Sequence, residues 1–80
     1  MTVVIDLSTL YEGTAKLDRL EAYVTEALRR SGEGNDVIIT GAAPVWLYLK
    51  IAHALHGKVK KLIYRSPVSG DLEIFNHDPF

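Results

Sequence analysis

Residues 37–48 read Val37-Ile38-Ile39-Thr40-Gly41-Ala42-Ala43-Pro44-Val45-Trp46-Leu47-Tyr48, and the change of pattern inside this run decides the fold. Val37 to Ile39 is short, β-branched and wholly apolar, which describes a strand covered on both faces. Thr40 to Ala43 interrupts it with small residues. Pro44 has a fixed φ and no N–H, so it suits the first helical position. The helix expected from Val45 to His56 has almost no polar face: Val45, Trp46, Leu47, Tyr48, Leu49, Ile51, Ala52, Ala54 and Leu55 leave only Lys50 and His53 between them. A helix apolar nearly all round is buried on more than one side, and in so small a chain the second side is most simply a subunit partner. Gly57 is expected to stop it as a left-handed cap.

Working outward, Val3-Val4-Ile5-Asp6-Leu7 reads as a strand, its unbroken apolar start suggesting an interior position in the sheet. From Thr14 the period changes. Leu17, Leu20, Val24, Ala27 and Leu28 form one stripe of an amphipathic helix, with Thr14 as its N-cap and Arg29 and Arg30 at the favourable end of its dipole. Ser31 to Gly34 ends it. On the far side, Val59 to Arg65 alternates, with Val59, Lys61, Ile63 and Arg65 on one face and Lys60, Leu62 and Tyr64 on the other. Ser66 to Gly70 is a turn of hairpin length, and Leu72 to Asn76 alternates again. The order strand, helix, strand, helix, strand, strand predicts an α/β (α+β) domain with a mixed sheet, its helices on one or both faces. Residues 1–80 form a single domain without internal repeats.

Eighty residues leave no room for a second core, and a chain this short hides only roughly 60–65% of its unfolded surface. With no cysteine, neither a disulfide framework nor a thiolate zinc site can reinforce it. Self-association is the usual remedy. No apolar run approaches the ~18–20 residues that span a bilayer, and Met1 to Leu10 lacks the pattern of an export signal, so a cytoplasmic protein is expected. The net charge of −1 argues against a uniformly basic surface for long nucleic acids, DNA included. That total conceals an asymmetry, however. Residues 1–40 are acidic on balance, while Lys58, Lys60, Lys61 and Arg65 crowd into a short stretch with no acid among them. They either guard a solvated strand edge or form an anion site.

Two groups of residues can carry chemistry. The loop Thr40, Gly41, Ala42, Ala43, Pro44 joins a strand's carboxyl end to a helix N-terminus, where small residues, unpaired amides and the dipole favour an anion; packing alone is the competing explanation. His53 and His56 stand three apart at the end of the same helix, and His77 ends the last strand beside Asp78. Three imidazoles and a carboxylate suit a metal site, with His53, His56 and Asp78 as ligands, or acid–base work on a phosphodiester by His56 and His77. The competing explanation is structural, a helix-end cap or a packed core or interface position; it is favoured for His53, whose neighbours are apolar, and less so for His56 beside Gly57. Trp46 and Tyr48 face different ways, and packing is their default role. Walker and dinucleotide fingerprints are absent.

The run from Val37 to Tyr48, followed by His53-x-x-His56, then Tyr64 and His77, resembles the CRISPR-associated ring nucleases of type III systems that have a ferredoxin-like fold and degrade cyclic tetra-adenylate. That family carries a G-x-x-P-[IV]-W-L-Y segment opening a helix and H-x-x-H ending it; the likeness covers about residues 36–77. The resemblance implies a homodimer that holds the cyclic RNA over the Thr40–Pro44 loop, with dimers stacking into filaments. It also implies manganese-dependent cleavage using groups from both dimers, with His56 and His77 catalytic or metal-associated.

Two departures qualify this. The chain opens on what corresponds to the family's second strand. Where the family has Asp-Pro-Arg after its tyrosine, this chain has Arg65-Ser66-Pro67, so a metal-ligating acid becomes a base. The expectation is therefore messenger binding at the loop, with Lys61, Arg65 and Ser66 contacting phosphates, and slow or absent cleavage. Binding then needs no cofactor, and manganese enters only with cleavage. The alternative is a small homo-oligomeric scaffold that binds no nucleotide.

Overall fold

Strand β1 (Thr2–Asp6), helix α1 (Leu20–Ser31), strand β2 (Asp36–Thr40), helix α2 (Val45–Leu55) and strands β3 (Lys61–Ser66) and β4 (Gly70–Asn76) succeed one another in the computed structural model, which describes residues 1–77. Two 3-10 turns, Leu7–Leu10 and Leu17–Arg19, lie between β1 and α1. The sheet runs β1-β2-β3-β4, the first three strands parallel and β4 antiparallel to β3. Parallel neighbours need crossovers, which α1 and α2 supply. Because α1 packs on both α2 and β1, the two helices share one face of the sheet. The result is the expected small α+β domain with a mixed four-stranded sheet, its strands in consecutive order.

Strand alternation builds the core. Ile5, Val37, Ile39 and Leu62 point to the helices and are buried against Ala27 of α1 and Leu47, Ile51 and Leu55 of α2. The last three recur every four residues, which stacks them as one stripe over the sheet. The opposite face carries the cross-strand row Val4, Ile38, Ile63. At the C-terminal end of α1, Arg29 and Arg30 both bond the Glu26 carboxylate, at 2.6 and 2.8 Å.

Several local expectations are corrected. β1 is an edge strand, and its Val4 is 55% exposed. Two crossovers stepping the same way leave the first strand at the margin. β3 is interior, so neither Lys61 nor Arg65 on it guards an edge. Val59 precedes β3 and belongs to the core instead of the lysine face. Pro44 is the N-cap of α2, one position earlier than expected. Thr14 caps nothing. The segment before α1 is held off the helix by tertiary bonds: the Tyr11 hydroxyl donates to the Ala42 carbonyl at 2.9 Å, and the Lys16 amide donates to the Tyr23 hydroxyl at 3.1 Å. Gly57 does not adopt a left-handed conformation. The end of α2 tightens instead: the His56 amide bonds the His53 carbonyl, and the Lys58 and Val59 amides share that of Leu55, satisfying the last carbonyls without a positive φ. Among the described residues, no helix is long and apolar enough to cross a membrane.

Ile51 is fully buried beneath α2. Ile51→Ala is expected to destabilise the domain by about 2–5 kcal/mol, and a urea melt followed by circular dichroism reads it as a lower midpoint at unchanged slope.

Candidate ligand cleft

Three parallel strands end on the same side of the sheet, and the loops after them gather there. The loop after β2 is the centre of the group, and it is tied from three directions. The Thr40 hydroxyl donates to the Arg65 carbonyl on β3 at 2.9 Å. The Tyr48 hydroxyl, one turn into α2, donates to the Gly41 carbonyl at 2.5 Å. The Tyr11 hydroxyl reaches the next carbonyl, Ala42. Gly41 has φ 103°, and a Cβ there would collide with the Asp6 carboxylate at the end of β1. Asp6 is itself committed, accepting from the Ser8 amide and hydroxyl at 2.9 and 2.6 Å.

Against this loop lies a cleft of about 730 Å³. Thr40, Gly41, Ala42 and Ala43 make one wall; Arg65, Ser66 and Pro67 make the other; Val45, Tyr48 and Tyr64 complete it. The rings of Tyr48 and Tyr64 meet edge to face, 5.2 Å apart. The amides of Val45 and Trp46, at the start of α2, have no intrahelical partner, and the positive end of the dipole lies with them. Arg65 brings a guanidinium, but not a free one. Its Nε and Nη2 bond the Asp71 carboxylate across the hairpin at 2.9 and 3.3 Å. That pairing holds Asp71 below the usual carboxylate range and raises Arg65 further. Two of its five donors are thus engaged, leaving the others for an anion. Burial, with smaller contributions from Tyr64 and Asp6, pushes the Tyr48 phenol up to about 12.

Six of the eight sequence-derived ligand positions therefore line one cleft: Thr40, Gly41, Ala42, Ala43, Arg65 and Ser66. The other two do not. Pro44 faces the opposite side of the loop, near Trp46 and Tyr11. Lys61 sits at the start of β3, opposite Asp36 in register and roughly 13 Å along the strand from Arg65. The crowded cations are scattered in the same way, Lys58 pairing with Glu33 at 3.5 Å. The sequence reading gave Tyr48 a packing role and used Tyr64 only for the family likeness, and it named neither these two nor Tyr11 or Asp71 as ligand positions. Only the cross-strand register brings Asp71 beside Arg65.

The histidines lie at the other end of α2, about 16 Å of helix away. His56 and His77 do meet, edge to face with ring centroids 4.6 Å apart, and Phe75 completes a three-ring cluster. The His77 amide donates to the Lys60 carbonyl at 2.7 Å, which anchors the end of β4. His53 is exposed one turn back and is not part of that cluster. Asp78 lies outside the described residues, and among the described residues no three histidine or acidic side chains group closely enough to hold a metal.

Fold and cleft together define a small two-layer α+β domain with a loop-walled cleft at the carboxyl ends of its parallel strands. Within that class, the chain belongs to the CRISPR-associated protein family Cas_csx3, whose family model matches residues 13–79. The match takes in the cleft and the ring cluster, and it ties the protein to CRISPR defence. No curated protein and no solved structure matches the chain.

Two outcomes follow from the loop's anchors. Because the folded-state value of Tyr48 lies above that of a free phenol, its stabilising effect is intact below about pH 10 and is lost as pH climbs toward about 12. Urea melts between pH 9 and 11.5 should show a steeper alkaline loss for the parent than for Tyr48→Phe. Gly41→Ala, strained by its φ and by Asp6, should lower stability by at least ~1–3 kcal/mol in the same assay.

Proposed function

We propose that this protein binds the cyclic tetra-adenylate messenger of type III CRISPR defence in the cytoplasm and lowers its free concentration. The observation that carries the reading is the single cleft in which Thr40 to Ala43 face Arg65 and Ser66. Small side chains let phosphates approach the amides at the start of α2, while Arg65 supplies a fixed charge. Family membership and the G-x-x-P-x-W-L-Y run support the same ligand.

The functional unit is a homodimer, able to stack further. Val45 and Leu49 on α2 are 73% and 66% exposed, and Leu72 and Ile74 on β4 are 60% and 45% exposed. Val45, Leu49 and Ile74 line an apolar groove of about 330 Å³ beside the open edge of the sheet, where a second copy fits. Sequestration is favoured over turnover, since the cleft's carboxylate is already paired with Arg65 and its own chain's histidines stand at the far end of α2. Cleavage, where it occurs, takes His56 and His77 from another subunit, with manganese as the added metal. The exposed α2–β4 surface also suits a second reading, an oligomeric scaffold without nucleotide. Absence of heat on calorimetric titration with cyclic tetra-adenylate would favour that alternative.

Limiting protein mixed with excess labelled messenger, with and without manganese, separates the modes. Sequestration protects up to one equivalent per site, whereas multiple turnovers would sink it. Arg65→Ala should weaken binding about tenfold or more, and Asp71→Asn should strengthen it several-fold at low salt by freeing the guanidinium. His56→Ala should leave affinity unchanged.

A further inference from the structure

The loop that walls the cleft has a second side. There Tyr11, Pro44 and Trp46 stand around Gly13, Ala15 and Ala42, enclosing about 390 Å³. No side chain lining this slot is charged at neutral pH, so it repels nothing flat and neutral and offers no counter-charge to an anion. Aromatic rings set against small residues are what a heterocyclic base needs, because every base has a face to stack.

The slot does not end there. Tyr11 and Thr14 also line an adjoining depression of about 580 Å³, which Lys16 and Arg19 line as well. Neither cation forms an ion pair with another described residue. Glu12 is the one acid lining the depression. An uncharged aromatic slot thus opens beside two available cations, the pattern of a base joined to a phosphate. The segment is held in place in advance. The Tyr11 hydroxyl is bound to Ala42, and the Lys16 amide to Tyr23, so little ordering is left for a ligand to impose.

We propose that this groove is a binding site for a nucleoside monophosphate, its base against Tyr11 and Trp46 and its phosphate on Lys16 and Arg19. The site lies across the loop from the cleft and shares no cation with it. It stands whether or not the cleft holds a cyclic oligonucleotide.

Trp46 is the single tryptophan of the chain, so its fluorescence reports on the slot directly. Titration with AMP and with adenosine should quench it saturably, AMP binding the tighter. Lys16→Ala with Arg19→Ala should weaken AMP about tenfold, to the level of adenosine, and leave adenosine unchanged. Both substitutions are at exposed positions, and a thermal melt confirms the fold. Arg65→Ala should change neither ligand. Quenching that rises linearly without saturation would overturn the proposal. So would an AMP affinity indifferent to Lys16 and Arg19, or one lost with Arg65, which would put the nucleotide in the cleft.

Discussion

The backbone of Gly41 passes so close to the Asp6 carboxylate that no side chain fits between them, and the rest of the site depends on that approach. It draws the loop after β2 down onto the end of β1. Asp6 cannot yield, because it caps the 3-10 turn that follows β1 through Ser8. From this fixed point, Tyr48 and Tyr11 take up two successive carbonyls on opposite sides, and Thr40 joins the loop to β3. A loop of small residues would otherwise sample many conformations. Here it is a thin wall with two usable faces, one toward Arg65 and the other toward Trp46.

Parallel strands impose the second constraint. Three carboxyl ends emerge together, so loops distant in sequence converge on one side of the sheet. The same geometry sends the end of α2, and with it His56, to the opposite side. There the antiparallel β4 returns to deliver His77, and the two rings meet beside Phe75. One chain thus holds an anion-suited cleft and an imidazole pair at opposite ends of a helix. Within one chain the two cannot act on the same atom, since the length of α2 separates them.

Much of the architecture was legible because hydrophobic period is local. The switch inside residues 37–48 marked the end of a strand and the start of a helix within one residue, and the Leu47, Ile51, Leu55 stripe lay in the expected helix. Positions within the sheet were not legible. An apolar run looks the same on an edge as in the middle, which is why β1 and β3 exchanged the roles expected of them. Arg65 read as a free cation, whereas the hairpin register sets Asp71 opposite it. A bulge between Leu62 and Ile63 shifts that register further down the strand, and such offsets are invisible in a pattern of alternation.

By itself, the sequence determined the order and type of the elements, the buried stripe of α2, and the small-residue loop that can approach a phosphate. These depend on neighbours within a few residues, where sterics and period act. Only the tertiary structure decided which residues share a cleft. It placed Lys61 and Pro44 outside and Tyr48, Tyr64 and Asp71 inside or at the rim, gave the loop its second face with Tyr11 and Trp46, and separated the histidines from the loop. The physical reason is that strand pairing and crossovers join segments tens of residues apart. Where a side chain ends up then depends on register and on the direction of its strand, and neither is written in the residue itself.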